Sequence, residues 1–253
     1  MVEQAKSLLT KIKQENPLIL NLTNSVTVDF VANGLLSLGA SPVMSHAEEE
    51  MEDLISIARA VVINLGTLDE RFIKLCALAC KTANRLSIPL ILDPVGVGAS
   101  QYRTNTSLQF ITDFNISIVR GNASEMMALA GSAGKTKGVD STADSTQAIA
   151  SAHYLAKNYG VTVAISGQTD VIVDHQQTVQ LERGSPMMPK VTGTGCLLSA
   201  VVGAFHAIEA DRFTAAAAAT WFYGICGETA AENAAGPGSF RTAFLDALYT
   251  VVP

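Results

Sequence analysis

The stretch from Val191 to Phe205, VTGTGCLLSAVVGAF, has the residue types and spacing of an anion-binding turn. Two glycines and two threonines lead directly into small and apolar residues with helical spacing. The first amides of a helix have no partner within the helix and carry partial positive charge. Gly193 and Gly195 would let a phosphate approach the backbone without a Cβ in the way. The stretch therefore predicts an anion site at the start of a helix.

Cys196 lies in or beside the first turn of this predicted helix. A thiol at that place ionises more easily because the helix dipole favours the thiolate. A second interpretation is a tight turn that leads into a buried helix, with Cys196 as a small core residue. Short glycine motifs also occur by chance, so this stretch alone leaves both interpretations open.

Polar or glycine residues also follow several strand-like apolar segments. The residues at these places are Asn24, Gly66, Asp93, Arg120, Asn122 and Ser166. In open sheets of parallel strands, ligands bind in the crevice beyond the carboxyl ends of the strands. We therefore expect these residues to lie near the glycine-rich turn.

Phosphoryl transfer is a chemistry that this set of residues could support. It needs an anion hole, a divalent cation held by carboxylates and a positive charge near the phosphates. Asp93 and Glu125 offer oxygen ligands that suit magnesium, and Arg120 offers the positive charge. Asp93 could instead cap a turn beside Pro94, and Glu125 could be an ordinary carboxylate in the first turn of a helix.

Strand-like and helix-like segments alternate over most of the 253 residues. This order predicts one α/β domain, residues 1–253, in three layers with a central, mostly parallel sheet. The run AVVINLG at 60–66 is typical of a strand covered on both faces, and QTVQLER at 177–183 predicts an antiparallel edge strand. The small, polar segment at 131–145 predicts a surface loop.

Composition excludes several classes of protein. The net charge is −6 and no run of lysines or arginines occurs, so nucleic acid is not an expected partner. The mean hydropathy is +0.28, but no apolar run reaches the roughly 18 to 20 residues of a membrane span. No secretory signal is visible, and we expect a cytoplasmic protein. The four cysteines show no spacing typical of a zinc site.

Six segments resemble the hydroxyethylthiazole kinase family and come in the order of that family. They are NLTNSVTVDFVANGLLSLGASPVMS, INLGTLDE, ILDPVGVGAS, VRGNASEMMALAG, AISGQTDVIVD and VTGTGCLLSAVVGAF. Together they span nearly the whole chain, which makes the resemblance far more specific than any glycine motif alone. The family belongs to the ribokinase-like superfamily, whose NxxE motif corresponds to Asn122–Glu125 and whose GxGD anion hole corresponds to Gly193–Cys196.

The resemblance implies transfer of the γ-phosphoryl group of ATP, with Mg²⁺, to the hydroxyl of 4-methyl-5-(2-hydroxyethyl)thiazole, a step of thiamine salvage. It implies nucleotide contacts at Arg120, Ser166 and Asn122, and magnesium ligands at Asp93 and Glu125. It implies thiazole contacts at Met44 and Gly193, with Asn24 and Gly66 as further pocket candidates. It also implies a homotrimer with active sites between subunits.

Cys196 is a departure from the superfamily, in which an aspartate stands as general base. Hydroxyethylthiazole kinases characteristically have cysteine there, so the difference favours this narrower family. We expect Cys196, with the anion hole at Gly193 and Gly195, to assist catalysis moderately, because phosphoryl transfer depends mostly on positioning and charge. Rival interpretations are a pyrimidine kinase, a nucleotide-dependent repair dehydratase and an ATP sensor without turnover.

Overall fold

The structure is a computed structural model and describes residues 1–131 and 144–252. Its strands are β1 (Leu18–Leu22), β2 (Ser41–Val43), β3 (Ala60–Asn64), β4 (Leu90–Asp93), β5 (Ile118–Asn122), β6 (Thr162–Ser166), β7 (Asp170–Val173) and β8 (Thr178–Leu181). Its α-helices are α1 (Val2–Glu15), α2 (Val28–Leu38), α3 (Met51–Ile57), α4 (Glu70–Leu86), α5 (Gln101–Asp113), α6 (Ala123–Leu129), α7 (Ile149–Tyr159), α8 (Thr194–His206), α9 (Arg212–Glu232) and α10 (Pro237–Thr250). Short 3₁₀ helices cover Ser145–Ala148 and Met188–Lys190.

The eight strands form one sheet in the order β2-β1-β3-β4-β5-β6-β7-β8. β1 to β6 pair in parallel, whereas β7 and β8 join in antiparallel fashion. The expected mostly parallel sheet and its antiparallel edge strand are confirmed. The register places Asn64 beside Asp93 and Asn122 beside Ser166, so polar residues at the carboxyl ends of neighbouring strands are direct neighbours.

Helices cover both faces of the sheet, which gives the expected three layers. One face packs against α1, α2, α8, α9 and α10, and the other against α3, α4, α5, α6 and α7. Successive residues of a strand point to opposite faces, and in β3 Val62 faces the first core while Val61 and Ile63 face the second. Burial on both faces explains why this strand is a continuous apolar run. Among the described helices, none is long and apolar enough to cross a bilayer.

Helix boundaries follow local capping more closely than apolar periodicity. Helix α4 begins after its cap residue Asp69, which accepts from Phe72 N at 2.8 Å. Helix α5 begins at Gln101 because Ser100 caps it, although the apolar spacing alone predicts a start near Thr106. The sequence predicts a break at GPGS, 236–239, before a last helix from Phe240. A break is present at 233–236, but α10 begins earlier than predicted, at Pro237, a place that proline favours. Most of the loop expected at 131–145 lies outside the described residues.

Helix α8 approaches the sheet and helix α2 closely because glycines stand at the contacts. A Cβ on Gly203 would lie 2.7 Å from Val62 Cγ2 of β3. A Cβ on Gly34 of α2 would overlap the side chain of Leu197 of α8. These contacts fix where α8 begins relative to the strand ends, and so determine the position of the glycine-rich turn.

The substitution Gly34→Ala tests this close approach. The added methyl group has no room beside Leu197, so we expect a loss of about 1–3 kcal/mol in the free energy of unfolding, measured by urea denaturation. Gly238→Ala is the matched control, because nothing lies within 4 Å of a Cβ there. That control should be neutral or stabilising by up to about 1 kcal/mol. Equal effects of the two substitutions would contradict the close contact.

Candidate active site

The residues expected to carry chemistry meet at the carboxyl ends of β1, β3, β4, β5 and β6, beside the start of α8. Helix α8 packs across β1, β3 and β4, which brings its first turn to this edge. The crevice predicted for a mostly parallel sheet is therefore where Asp93, Arg120, Asn122, Ser166 and Cys196 lie.

The start of α8 has the form expected of an anion site. Gly193 precedes the helix with φ of +96°, in the left-handed region that favours glycine, and no side chain caps the helix. A Cβ on Gly193 would also lie 2.9 Å from Thr27 Cγ2. A Cβ on Gly195 would lie 2.8 Å from Arg120 Nη1, so a glycine here lets the guanidinium approach the first turn.

Asp93, at the end of β4, is a buried carboxylate with its donors on one oxygen. Oδ2 accepts hydrogen bonds from Ser199 Oγ at 2.7 Å and Asn64 Nδ2 at 2.8 Å. Arg120 Nη1 lies 3.8 Å from the same oxygen. Burial raises the pKa of Asp93, and these three neighbours oppose the rise. Within the described chain, nothing hydrogen bonds to the buried Oδ1.

Glu125 caps α6 and lies close to Asp93. With Asn122 it forms a capping box, in which Asn122 Oδ1 accepts from Glu125 N and Glu125 Oε2 accepts from Asn122 N. Its other oxygen, Oε1, accepts from Gly96 N at 2.7 Å. Burial and, secondarily, the charge of Asp93 raise the pKa of Glu125 to about 7. Glu125 is therefore a carboxylate in the first turn of a helix, where it takes part in the helix cap.

The two carboxylates fit a magnesium ion that would be completed by water and phosphate oxygens. Among the described residues, no three His, Cys, Asp or Glu side chains group together to hold a metal ion. Magnesium usually takes one or two protein carboxylates and keeps several waters. The unpartnered Oδ1 of Asp93 is a buried oxygen that such an ion would satisfy.

Arg120 and Ser166 are brought together, as expected of residues that share one ligand. Arg120 Nη2 donates a short hydrogen bond to Ser166 Oγ from the neighbouring strand. The Nε of Arg120 is buried and has no hydrogen-bond partner in the described part of the chain. Behind Ser166, the buried Asp170 accepts from Gly167 N at 3.0 Å, which holds the turn between β6 and β7. The guanidinium therefore keeps an unused donor at this edge.

Cys196 is partly buried in the first turn of α8, and Asn24 Nδ2 donates to its Sγ at 3.2 Å. Burial and the negative charge of Asp93 raise the pKa of the thiol, against the opposing influence of Thr27, Asn64 and Arg120. The expectation that a helix start would ease ionisation is wrong in direction, because burial and the charge of Asp93 disfavour the thiolate and leave the pKa raised.

The remaining pocket candidates divide into two groups. Gly66 lies against the asparagines, since a Cβ there would be 2.8 Å from Asn24 Cβ and 2.9 Å from Asn64 Oδ1. Met44 is half-buried after β2 and packs against the core that contains α8. The structure therefore brings Gly66 against Asn24, which itself bonds to Cys196 at the helix start that follows Gly193, while Met44 lies on the β2 side of the site.

The sequence interpretation missed three residues that hold the site. Asn64 and Ser199 both donate to Asp93, and Arg103 donates to the carbonyl oxygens of Leu65, Gly66 and Val95 at 2.7 to 2.8 Å. Asn64 had a signal, because it is the only polar residue within AVVINL. Ser199 lies one helical turn after Cys196, but a serine in an apolar helix gives no signal of its own.

Two cavities lie at opposite ends of the strands. One of about 310 Å³ is bordered by Thr23, Ser25 and Thr67, chain neighbours of Asn24 and Gly66. A larger one of about 620 Å³ lies at the amino ends, beside Arg59 and Arg212. Both of these arginines already donate to backbone carbonyls. The smaller cavity is therefore the one that adjoins the catalytic candidates.

Comparisons with known proteins concern the family to which this chain belongs. The model of the hydroxyethylthiazole kinase family matches residues 9–253. The hydroxyethylthiazole kinase of Vibrio parahaemolyticus is 48% identical over 249 residues, which are 98% of this chain and 94% of that protein. The solved structure of a hydroxyethylthiazole kinase from Pyrococcus horikoshii is 37% identical, with a TM-score of 0.91, and covers 99% of this chain and 94% of that one.

A more distant structure concerns the fold alone. A ribokinase-like superfamily protein from Enterococcus faecalis is 14% identical with a TM-score of 0.67, over 96% of this chain and 93% of that one. The expected ribokinase-like fold is thereby confirmed. Because the family match covers nearly the whole chain and the relatives are aligned over nearly their full length, this chain belongs to the hydroxyethylthiazole kinase family.

Proposed function

We propose that this protein phosphorylates the hydroxyl of 4-methyl-5-(2-hydroxyethyl)thiazole with ATP as donor and Mg²⁺ as cofactor, in thiamine salvage. One observation carries the proposal: the chain belongs to this kinase family, and its carboxylates, its buried arginine and the uncapped start of α8 lie at one edge of the sheet. These are the groups that phosphoryl transfer requires.

Asp93 and Glu125 would hold the magnesium ion. The bound ion would neutralise negative charge that develops on the phosphate oxygens. Asp93 Oδ2 already has its donors, so Oδ1 is the oxygen that remains for a ligand. Glu125 is oriented by two backbone amides, and each carboxylate oxygen can accept more than one interaction.

The nucleotide would lie along β5 and β6, against Arg120, Ser166 and Asn122. Arg120 has a fixed charge and an unused Nε–H, which suits a phosphate oxygen. The first amides of α8, from Gly193 through Gly195 to Cys196, would receive the transferred phosphoryl group. This assignment agrees with the close approach of Arg120 to Gly195.

The thiazole alcohol would lie on the side of β1 and β3, with Met44, Gly193, Asn24 and Gly66 around it. The cavity of about 310 Å³, which is bordered by Thr23, Ser25 and Thr67, the chain neighbours of Asn24 and Gly66, is large enough for a small heterocycle. Half-buried Met44 would supply a polarisable apolar contact. Cys196 would orient the hydroxyl and help to remove its proton.

We further propose that the whole chain, residues 1–253, is one domain, that it acts in the cytoplasm, and that it assembles as a homotrimer with active sites between subunits. The single eight-stranded sheet supports the one-domain assignment. Exposed apolar side chains on several elements, including Val26, Leu36 and Ile57, are compatible with subunit contacts.

The activity itself is tested by incubating the protein with ATP, Mg²⁺ and the thiazole alcohol and weighing the product by mass spectrometry. We expect the mass of a phosphate ester of the thiazole alcohol, formed in step with ADP. Hydroxymethylpyrimidine is the comparison substrate, because it separates this activity from that of a pyrimidine kinase. Phosphorylation of the pyrimidine alone, or nucleotide binding without any product, would overturn the proposal.

The substitution Asp93→Asn tests the metal assignment. We expect turnover to fall by about a hundredfold or more, because metal stabilisation of phosphoryl transfer amounts to several kcal/mol. The KM for the thiazole alcohol should change little. Asp170→Asn removes another buried carboxylate at this edge and should keep the magnesium dependence of the rate. An unaltered magnesium dependence in the Asp93 variant would count against this assignment.

The substitutions Cys196→Ala and Cys196→Asp test the role of the thiol. Burial raises its pKa, so little thiolate is present at neutral pH to accept a proton, and we expect Cys196→Ala to lose only about ten- to a hundredfold in turnover. Nucleotide binding and thermal unfolding serve as checks on the fold. Complete loss of turnover in both variants, with folding and nucleotide binding intact, would refute a moderate role.

A further inference from the structure

Two buried asparagines connect Asp93 to Cys196 through successive hydrogen bonds. Asn64 Nδ2 donates to Asp93 Oδ2 at 2.8 Å. Asn24 Nδ2 then donates to Asn64 Oδ1 at 3.0 Å and to Cys196 Sγ at 3.2 Å. These bonds join β4, β3, the segment after β1 and the first turn of α8. They therefore link the candidate metal ligand to the thiol of the anion site.

Backbone groups fix the orientation of both amides. The N–H of Gly66, which can only donate, bonds to Asn64 Oδ1 at 3.0 Å, so Nδ2 of Asn64 must face Asp93. The N–H of Val26 bonds in the same way to Asn24 Oδ1 at 3.1 Å. The Nδ2 of Asn24 must therefore face Asn64 and the sulfur. The direction of donation towards Cys196 follows from these two backbone donors.

This direction has a consequence for the thiol. The sulfur of Cys196 accepts a hydrogen from Asn24, so its own proton is not used in that bond. Both Nδ2 hydrogens of Asn24 are engaged, and its Oδ1 accepts from Val26 N and Thr27 Oγ1. The amide of Asn24 is thus held by Val26 and Thr27 through Oδ1 and by Asn64 through one Nδ2 hydrogen, while its other Nδ2 hydrogen goes to the sulfur.

We propose that Asn64 is a positioning residue for phosphoryl transfer, which acts by holding Asn24 against Cys196 while it binds Asp93. The proposal rests on the proposed function. Asn64 bonds to Asp93, to Asn24 and to the N–H of Gly66. Its influence on the reaction therefore passes through these neighbours, and it reaches the thiol by way of Asn24.

The chain offers a matched control in Asn21. This residue is also a buried asparagine, with 1% exposure as for Asn64, and it lies on the neighbouring strand β1. Its Nδ2 donates only to its own strand, to Ile19 O at 2.9 Å, and its buried Oδ1 has no hydrogen-bond partner within the described residues. Leucine at either position keeps the branched shape of the side chain and removes its amide, but only at 64 does it break the link.

The first experiment measures the rate at which iodoacetamide alkylates Cys196 at a fixed pH, without substrates. The other three cysteines are buried, and Cys196→Ala gives the background. We expect Asn64→Leu to slow alkylation by roughly threefold to tenfold, because the reacting thiolate loses the stabilisation of one hydrogen bond to the sulfur. Asn21→Leu should stay within about twofold of the unaltered protein. An unchanged rate in folded Asn64→Leu would overturn the link.

The second experiment is a double-mutant cycle in the kinase assay. We expect Asn64→Leu to lower kcat by about tenfold, because the hydrogen bond from Asn64 to the carboxylate of Asp93 is charge-assisted. The KM values for both substrates should stay within about twofold. In the Cys196→Ala background the same substitution should cost less than about threefold. Equal losses in the two backgrounds would overturn the proposal, because they indicate a role independent of the thiol.

Two further results, a variant that does not fold and a protein without kinase activity, also have a defined interpretation. If Asn64→Leu does not fold, Asn24→Leu replaces it, because it breaks the bond to the sulfur and leaves both donors of Asp93 in place. If the unaltered protein forms no phosphorylated thiazole, the proposed function fails. The alkylation rates, which need no substrate, then decide separately whether Asn64 positions the thiol.

Discussion

The buried carboxylate of Asp93 is the group around which this end of the molecule is arranged. A buried charge costs several kcal/mol unless donors surround it. Its partners here come from three separate elements: Asn64 of β3 and Ser199 of α8 donate hydrogen bonds, and Arg120 of β5 supplies a positive charge at 3.8 Å. Since none of them is close to Asp93 in sequence, the carboxylate can be satisfied only when the sheet and α8 are assembled together.

The position of α8 follows from that requirement. Ser199 reaches Asp93 only if α8 crosses the centre of the sheet, and Gly34 and Gly203 permit the close contact. One helical turn before Ser199 lies Cys196, so the same placement brings the first turn of α8 to the strand ends. No side chain caps this helix, and its dipole remains available to an anion. Stability and anion binding thus depend on one placement of one helix.

The fold could be predicted well from the sequence because burial determines the pattern of apolar residues along each strand and helix. Continuous β-branched runs such as AVVIN become strands covered on both faces, and the residues at their ends become neighbours through a parallel register. The sequence also placed Asp93, Arg120 and Cys196 at one edge. Asn64 was missed, although it interrupts an apolar run, because a lone buried amide gives no indication of its partner.

The direction of the pKa shift of Cys196 could not be predicted from the sequence, for a similar reason. Cys196 at a helix start suggested easy ionisation, but the extent of burial and the nearness of Asp93 decide the direction, and both depend on tertiary structure. Ser199 shows the same limit. Its hydroxyl is indistinguishable in sequence from any small residue of a buried helix until the strand opposite is known.

Glu125 shows that the structural and functional interpretations of one residue can both hold. The capping box and the bond from Gly96 orient its carboxylate through backbone amides alone, before any ligand arrives. The rise of its pKa comes first from burial and then from the charge of Asp93, so the nearby carboxylate disfavours the ionised form of Glu125. A divalent cation shared by the two would remove that conflict. The helix cap therefore does not compete with metal binding, because it holds the second carboxylate where an ion is needed.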